Sequence, residues 1–462
     1  MFTHLSNEPA DYAWGAPGAI SLLLGTAGAC RVDGGAADRS VPQAELWLGA
    51  HRGAPAAVES EAAGRERLDA WIARDPETVL GRYAAGLREG DEPHLPFLLK
   101  VLAAGAPLSL QAHPTLERAR AGYAAEDAAG IPVDAPTRNY RDRLHKPELL
   151  WAVSERVEAI AGFRDRDAVV ACADAFEEAL DAVTAHDGAG IDRRDAAALR
   201  AVLADLAAVD DASSRRAIVE RVLAGGVVVD RAVRAISRVA ELADSAPADD
   251  AEATVRGEPM GARASAVDAL GADFDTVRRL ASAFPGDPGI LIALLLHRVS
   301  LERGSAIAVP AGVLHAYLSG TGIEIMAASD NVLRGGLTPK HVDVPELLAT
   351  LDFDVSPPPL VEPGALAAGV EEFRSFAPDF RLLVVRPSLS PDASVGLDLD
   401  GPSVVLCLEG SARLDGASST ARIERGEALL ATPEEGAIAV SGEALLVVGT
   451  SGVDPATPLP LD

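Results

Sequence analysis

A run of helical periodicity over residues 165–283 separates two parts of the chain that both have the texture of short strands and turns. Within this run, apolar residues recur at spacings of three and four, which places them on one face of a helix. Three such faces are present: Val169, Ala173, Phe176, Leu180 and Val183; Leu199, Val202, Leu203 and Leu206; and Val233, Ile236, Val239 and Ala240. The pattern predicts a mainly β protein that carries an α-helical insertion.

The regions on either side of the helices have short apolar runs punctuated by glycine and proline, as strands joined by turns do. We expect residues 1–160 and 285–355 to form one β domain, which the helical insertion at 161–284 interrupts. Within the insertion, the acidic segment 245–261 has few apolar residues and predicts a mobile loop.

A second β unit is expected after the proline-rich residues 355–359. Five strand-like runs follow between turn residues, at 381–385, 403–408, 428–431, 437–440 and 444–448. Regular short strands of this kind are typical of a small barrel or sandwich. Because no histidine follows His341, we expect residues 356–462 to carry no metal and to cover apolar surface of the first β domain.

Four potential metal ligands occur in or beside strand-like runs. Gln111 and His113 are two residues apart, so that in a strand both side chains project to the same side. Glu148 and His315 add a carboxylate and an imidazole further along the chain. Oxygen and nitrogen donors without a thiolate suit a borderline cation such as zinc. The pair at 111 and 113 alone is weak evidence, because most buried histidines and glutamines are hydrogen-bonded core residues.

The wording around these positions resembles one family, the type I mannose-6-phosphate isomerases. The resembling stretches are residues 7–15, 44–51, 95–114, 145–148 and 310–340, and the last of them is the most specific. The resemblance implies a cupin-type jelly-roll barrel with a second, C-terminal jelly-roll-like unit. It also implies one zinc ion per chain, bound by Gln111, His113, Glu148 and His315, and Arg334 as the active-site arginine.

The activity that the resemblance implies is a zinc-dependent aldose–ketose isomerisation between mannose 6-phosphate and fructose 6-phosphate through a cis-enediol. Such a reaction needs an acid or base beside the reacting carbons and a positive centre for the developing charge. Lys146 or His145, with Asp330 as partner, is our prediction for proton transfer, and Glu324 is a further candidate. The alternative for His145 is a hydrogen-bond donor that orients a ligand.

A phosphorylated sugar also requires cations and hydroxyl groups near the mouth of the site. Lys100, Ser109 and Lys340 are the candidates for the phosphate, and Lys340 is favoured because it lies in a loop-like segment. Lys100 ends an apolar run, where a core residue with its charge turned outward is the alternative. Trp14 and Tyr317 are candidate sugar contacts, although most aromatic residues with apolar neighbours belong to the core.

A net charge of -28 excludes nucleic acid and anionic membrane surfaces as partners, because both would repel the chain. The three cysteines are far apart and odd in number, so no disulfide framework is expected. No basic segment leads into an apolar run near the N-terminus. We therefore expect a cytoplasmic protein, and we predict a monomer.

Three other functions fit a cupin-type scaffold. The first is another sugar-phosphate isomerase, and the second is a dioxygenase, which a glutamine ligand disfavours because such enzymes hold a redox metal mainly with histidine and carboxylate. The third is a non-catalytic sugar-binding protein. That function would go with the loss of a ligand or of Arg334, and the chain retains all of them.

Overall fold

The structure is a computed structural model that describes residues 1–26, 28–32, 40–60, 64–84, 88–89, 92–185, 190–243, 260–389, 394–399 and 401–452. Two large sheets with antiparallel strand pairing dominate it, and a layer of helices packs against the N-terminal one. The mainly β fold with a helical insertion is as expected from the sequence.

The N-terminal sheet has ten strands and carries every predicted metal ligand in or next to a strand. Its strands are Glu45–Leu48, Phe97–Ala104, Gln111–Ala112, Glu148–Ala152, Arg156–Phe163, Leu296–Glu302, Ala306–Val309, His315–Ala327, Leu333–Arg334 and Leu360–Val361. The strand His315–Ala327 is 13 residues long and pairs with four others, among them Phe97–Ala104 and Glu148–Ala152. It therefore links the separate sequence motifs within one sheet.

The C-terminal sheet has eleven strands, and it includes strands from the beginning of the chain. Its strands are Phe2–Ser6, Ala57–Ser60, Gly64–Arg67, Gly364–Ala367, Val370–Arg374, Phe380–Val385, Ser394–Asp398, Ser403–Asp415, Thr420–Glu424, Ala428–Ala431 and Ala437–Ser451. The first strand pairs Phe2 with Ala431 and His4 with Glu59. The domain limits at residues 160, 284 and 355 stay a prediction.

One strand prediction for the C-terminal unit is wrong in detail. The runs 437–440 and 444–448 belong to a single strand, Ala437–Ser451, rather than to two. Gly442 has a φ of 120°, which suits glycine, and it lets the strand bend while it stays paired with Ala412. The small polar residues between the two apolar runs therefore mark a bend and not a turn.

More than half of the described helices lie, in the sequence, between the strands Arg156–Phe163 and Leu296–Glu302 of the N-terminal sheet. They are Ala19–Leu24, Leu68–Arg74, Pro76–Leu80, Leu116–Ala128, Arg166–Thr184, Arg193–Ala207, Ala212–Leu223, Val227–Ala243, Met260–Ala283, Gly289–Ala293 and Val344–Thr350. Aspartate caps begin several of them; Asp165, for example, accepts a hydrogen bond from the Ala168 amide. Residues 244–259, and with them most of the predicted loop at 245–261, lie outside the described part of the chain.

The two large sheets share an apolar core. Leu99 and Ile325 of the N-terminal sheet and Val404 and Val447 of the C-terminal sheet belong to one buried cluster. A Cβ atom at Gly449 would lie 3.0 Å from Cδ1 of Ile325, so the sheets approach closely at this glycine. The C-terminal sheet therefore covers apolar surface of the N-terminal sheet, as expected.

Smaller elements complete the described structure. Two two-stranded sheets pair Ala16–Pro17 with Pro42–Gln43 and Arg88–Glu89 with Glu92–Pro93, and 3₁₀ turns span Gly81–Tyr83, Pro387–Leu389 and Pro433–Glu435. Cys30, Cys172 and Cys407 are buried and free, in agreement with the prediction of no disulfide. Among the described helices, none has both the length and the apolar composition that a membrane span requires.

Candidate active site

Strand pairing brings the predicted metal ligands together. Gln111 lies opposite His315 on one side and opposite Arg334 on the other. Glu148 begins the strand Glu148–Ala152, which also pairs with the strand that His315 begins. His113 follows Gln111 directly after the end of its short strand. The pairing of Gln111 with His315 thus joins residues that are about 200 positions apart in the sequence, and Glu148 is placed opposite Met326 of the same long strand.

The side chains of His113, Glu148 and His315 form a buried cluster whose ligand atoms all lie within 4.8 Å of one another. Nε2 of His113 is 3.2 Å from Oε1 of Glu148, and Nε2 of His315 is 3.4 Å from Oε2. Both Nε2 atoms and Oε2 of Glu148 are buried without a hydrogen-bond partner. Because such unsatisfied buried polar atoms are costly, the donor set fits a cation bound between them.

The other nitrogen of each imidazole fixes the direction of its ring. Nδ1 of His113 is 2.8 Å from the carbonyl oxygen of Asn331, and Nδ1 of His315 is 3.0 Å from that of Val313. A carbonyl oxygen only accepts, so each Nδ1 must carry the proton, and each Nε2 keeps its lone pair. Burial lowers the pKa of His113 to about 4, which keeps the ring in the neutral form that binds metals.

A cavity of about 1060 Å³ opens beside this cluster. Of the predicted site residues, it is lined by Trp14, Lys100, Ser109, Gln111, Lys146, Glu148, Tyr317, Glu324, Asp330, Arg334 and Lys340. His113 and His315 lie behind the wall and are almost wholly buried. The cavity is large enough for a phosphorylated sugar in its open-chain form.

Lys100 lies in the cavity wall between two carboxylates. Its Nζ atom is 3.6 Å from Oε1 of Glu45 and 3.4 Å from Oε2 of Glu324. Burial would lower the pKa of Lys100, but the two carboxylates raise it above its usual value. Because its charge is already compensated, this position argues against Lys100 as a phosphate ligand.

Three of the four predicted acid and base candidates, Glu324, Lys146 and Asp330, face the cavity. Glu324 is buried, and burial followed by the charge of Glu148 raises its pKa to about 7. Nζ of Lys146 is 3.1 Å from Oε1 of Glu148, and Oδ1 of Asp330 is 3.4 Å from Nε2 of His51. All three candidates line the cavity.

His145 instead contacts the C-terminal unit. Its Nε2 atom is 2.9 Å from both carboxylate oxygens of Asp379, a buried residue just before the strand Phe380–Val385. This contact favours the alternative that His145 orients the segment leading to Glu148. The C-terminal unit therefore contacts the segment that leads to Glu148. The absence of histidines from this unit did not predict such a contact.

Three cations at the cavity have no ion-pair partner within contact distance among the described residues. Arg141, Arg334 and Lys340 all line it, and in the described structure none of their side chains has a hydrogen bond or an ion pair. Burial and Arg141 lower the pKa of Arg334; burial, Arg334 and Arg141 lower that of Lys340. In a chain with a net charge of -28, such a cluster indicates an anionic ligand.

Sequence reasoning missed Arg141 and His51. Arg141 lies four residues before His145, but outside the stretches used to choose the phosphate candidates. Its position next to a ligand motif was the available signal. His51 ends one of the resembling stretches, and only its contact with Asp330 shows where it lies in the site.

Comparison with known proteins agrees with this site. Residues 2–166 match the family model described as phosphomannose isomerase type I, catalytic domain. The mannose-6-phosphate isomerase of Escherichia coli K12 is 32% identical over 443 residues, which cover 96% of this chain and 97% of that protein. The corresponding protein of Salmonella typhimurium LT2 is 31% identical over 439 residues, or 95% and 96% of the two chains.

Solved structures are similar over almost the whole chain. A crystal structure of a variant phosphomannose isomerase from Salmonella typhimurium has a TM-score of 0.77 at 28% identity, and covers 98% of this chain and 100% of that one. A mannose 6-phosphate isomerase structure with bound zinc has a TM-score of 0.76 at 29% identity and the same coverage. The resemblance found in the sequence is thereby confirmed, and the chain belongs to the type I mannose-6-phosphate isomerase family.

Proposed function

We propose that this chain interconverts mannose 6-phosphate and fructose 6-phosphate with one zinc ion held by Gln111, His113, Glu148 and His315. Two sets of groups beside one cavity carry the proposal. The first is the three buried donor atoms of His113, Glu148 and His315 that have no hydrogen-bond partner. The second is the three cations, Arg141, Arg334 and Lys340, whose side chains have no ion-pair partner among the described residues. The first set fits a metal ion and the second fits a phosphate. The zinc-bound relative supports the choice of metal.

When bound, zinc supplies a positive centre beside the sugar oxygens on which negative charge develops. The protein's own residues then account for the movement of the proton. In our proposal the carboxylate of Asp330 takes the proton from C2 of the open-chain aldose, while the ammonium group of Lys146 protonates the carbonyl oxygen at C1. The product of this step is the cis-enediol.

The second step returns both protons. The C2 hydroxyl gives its proton to Lys146, and Asp330 delivers its proton to C1, which yields the ketose. Arg334 faces the same cavity and stabilises the enediolate character with two parallel N–H groups. Glu324 remains a candidate for the base, because its pKa of about 7 allows both protonation states near neutrality.

A coupled assay of fructose 6-phosphate formation tests this function. We expect turnover of mannose 6-phosphate that disappears on chelation and returns with zinc, because the buried donor atoms need a cation to organise them. Elemental analysis should find one zinc per chain. Fully active protein without stoichiometric metal would contradict the proposal.

The same assay separates the alternative functions. Turnover of glucose 6-phosphate alone would favour another sugar-phosphate isomerase, whereas the absence of turnover with either sugar would favour a binding protein.

Removal of a phosphate ligand should affect affinity more than turnover. We expect Lys340→Ala and Arg141→Ala each to raise KM for mannose 6-phosphate roughly 10- to 100-fold, because each variant loses one charge-assisted hydrogen bond to the phosphate. The control is Arg422→Ala, an exposed arginine of the C-terminal sheet. Unphosphorylated mannose provides the decisive comparison. If either variant lowers activity on mannose and on its 6-phosphate by the same factor, that residue is not a phosphate ligand.

A further inference from the structure

A buried aspartate that the proposed reaction does not use lies behind the metal cluster. The side chain of Asp142 is almost wholly buried and accepts four hydrogen bonds. Oδ1 accepts from the Ser329 hydroxyl at 2.7 Å, from the Leu144 amide at 3.0 Å and from Nδ2 of Asn331 at 3.0 Å. Oδ2 accepts from the Asp330 amide at 2.7 Å. This carboxylate therefore joins two distant segments of the chain.

Asn331 completes the junction from the other side. It is fully buried, and its Oδ1 atom accepts from the Arg141 amide at 2.7 Å. The two hydrogens of its Nδ2 atom are shared among three acceptors, Oδ1 of Asp142 and the carbonyl oxygens of Asp142 at 2.9 Å and of Leu144 at 2.8 Å. The segments 141–144 and 329–331 are thus held together by hydrogen bonds that use every polar atom of the Asn331 side chain.

Three groups of the site extend from this junction. The main-chain carbonyl of Asn331 accepts the Nδ1 proton of His113 at 2.8 Å, and so sets the direction of that ring. Asp330 and Arg141, which face the cavity, are chain neighbours of Asn331 and Asp142. A shift of the junction would therefore move a metal ligand, an acid–base group and a cation together.

We infer that Asp142 is a positioning residue: through Asn331 it holds the imidazole of His113 in the orientation that the metal requires. This inference rests on the proposed zinc site. Groups that hydrogen-bond to metal-binding histidines fix the ring and raise its affinity for the ion. Asp142 acts one step further out, on the residue whose carbonyl His113 contacts.

The hydrogen-bond pattern explains why the residue is a carboxylate. Both oxygens face donors only, so an amide of the same shape always points its NH₂ group at another donor. Asp142→Asn therefore preserves the volume of the side chain, removes at least one of the four hydrogen bonds and places two donors against each other. Its effect reports on hydrogen bonding rather than on packing.

The test compares Asp142→Asn with Asp273→Asn. Asp273 is also a buried carboxylate, but its two hydrogen bonds come from Arg164 in the helical layer. Zinc affinity is measured by competition with a chromophoric chelator, ligand geometry by the visible spectrum of the cobalt-substituted protein, and stability by thermal unfolding without metal. For Asp142→Asn we expect roughly 10- to 100-fold weaker zinc binding and a changed cobalt spectrum. For Asp273→Asn we expect lower stability with unchanged affinity and spectrum.

The inference is overturned if Asp142→Asn binds zinc with the affinity and spectrum of the unmodified protein, or if both variants weaken zinc binding equally. If Asp142→Asn does not fold, Ser329→Ala replaces it, because this change removes a single donor of the four. It should weaken zinc binding in the same direction and to a smaller extent, and unchanged binding would overturn the inference. If the unmodified protein binds no zinc, the proposed function fails, and the positioning role fails with it.

Discussion

His113→Ala is expected to remove the bound metal and to lower kcat at least about 1000-fold. This factor corresponds to the loss of roughly 4 kcal/mol of charge stabilisation in the transition state. The same result is expected for His315→Ala. Each change deletes one of the two buried imidazoles whose Nε2 atoms face Glu148. With one imidazole missing, Gln111, Glu148 and a single histidine remain, and the ion loses both a bond and the shape of its site.

Metal content and turnover measured on the same samples test this expectation. His4→Ala serves as the control, because His4 is an exposed histidine on the strand Phe2–Ser6 and should change neither quantity. Gln111→Ala should have a partial effect, because water can take the place of a neutral ligand. A His113 or His315 variant that keeps one zinc per chain and normal turnover would show that the cluster is not the metal site.

The second large effect is expected at Arg334. Arg334→Ala should lower kcat roughly 100- to 1000-fold, as the loss of one preorganised donor to a developing oxyanion does, while the metal stays bound. A charged guanidinium has no lone pair to offer a cation, so Arg334 is not a metal ligand although it lies opposite Gln111 in the sheet. Its guanidinium remains charged in the half-buried position.

Arg334→Lys provides the matched comparison. Lysine keeps the charge but loses the planar pair of donors, so we expect activity between those of the unmodified protein and the alanine variant. Zinc content and the separate values of kcat and KM should be measured for both variants. An increase in KM with unchanged kcat would contradict the role in the transition state and would assign Arg334 to the phosphate instead.

Local patterns in the sequence were sufficient to predict a mainly β chain with a helical insertion. The apolar spacing at Val169, Ala173 and Phe176 predicts a helix, and these residues form the buried face of Arg166–Thr184. This succeeds because helical periodicity depends on neighbours within one turn or two. The set of metal ligands came instead from the family resemblance, because a glutamine and a histidine two residues apart are by themselves weak evidence for a metal site, and the set stays a proposal. The cytoplasmic location and the monomeric state stay predictions.

Other features were decided only by the tertiary structure. The strand Phe2–Ser6 pairs with Ala428–Ala431 at the other end of the chain, and His145 meets Asp379 of the C-terminal unit. Likewise, only the described structure shows that the side chain of Arg141 has no hydrogen bond or ion pair there, and that Asp142 is buried against segment 329–331. Strand pairing, ion pairing and burial between distant segments depend on which surfaces come into contact once the chain has closed long loops. Most of the residues proposed to supply the chemistry were therefore named from the sequence, Arg141 being an exception, whereas the contacts that hold them in position became apparent only when the distant segments were brought together.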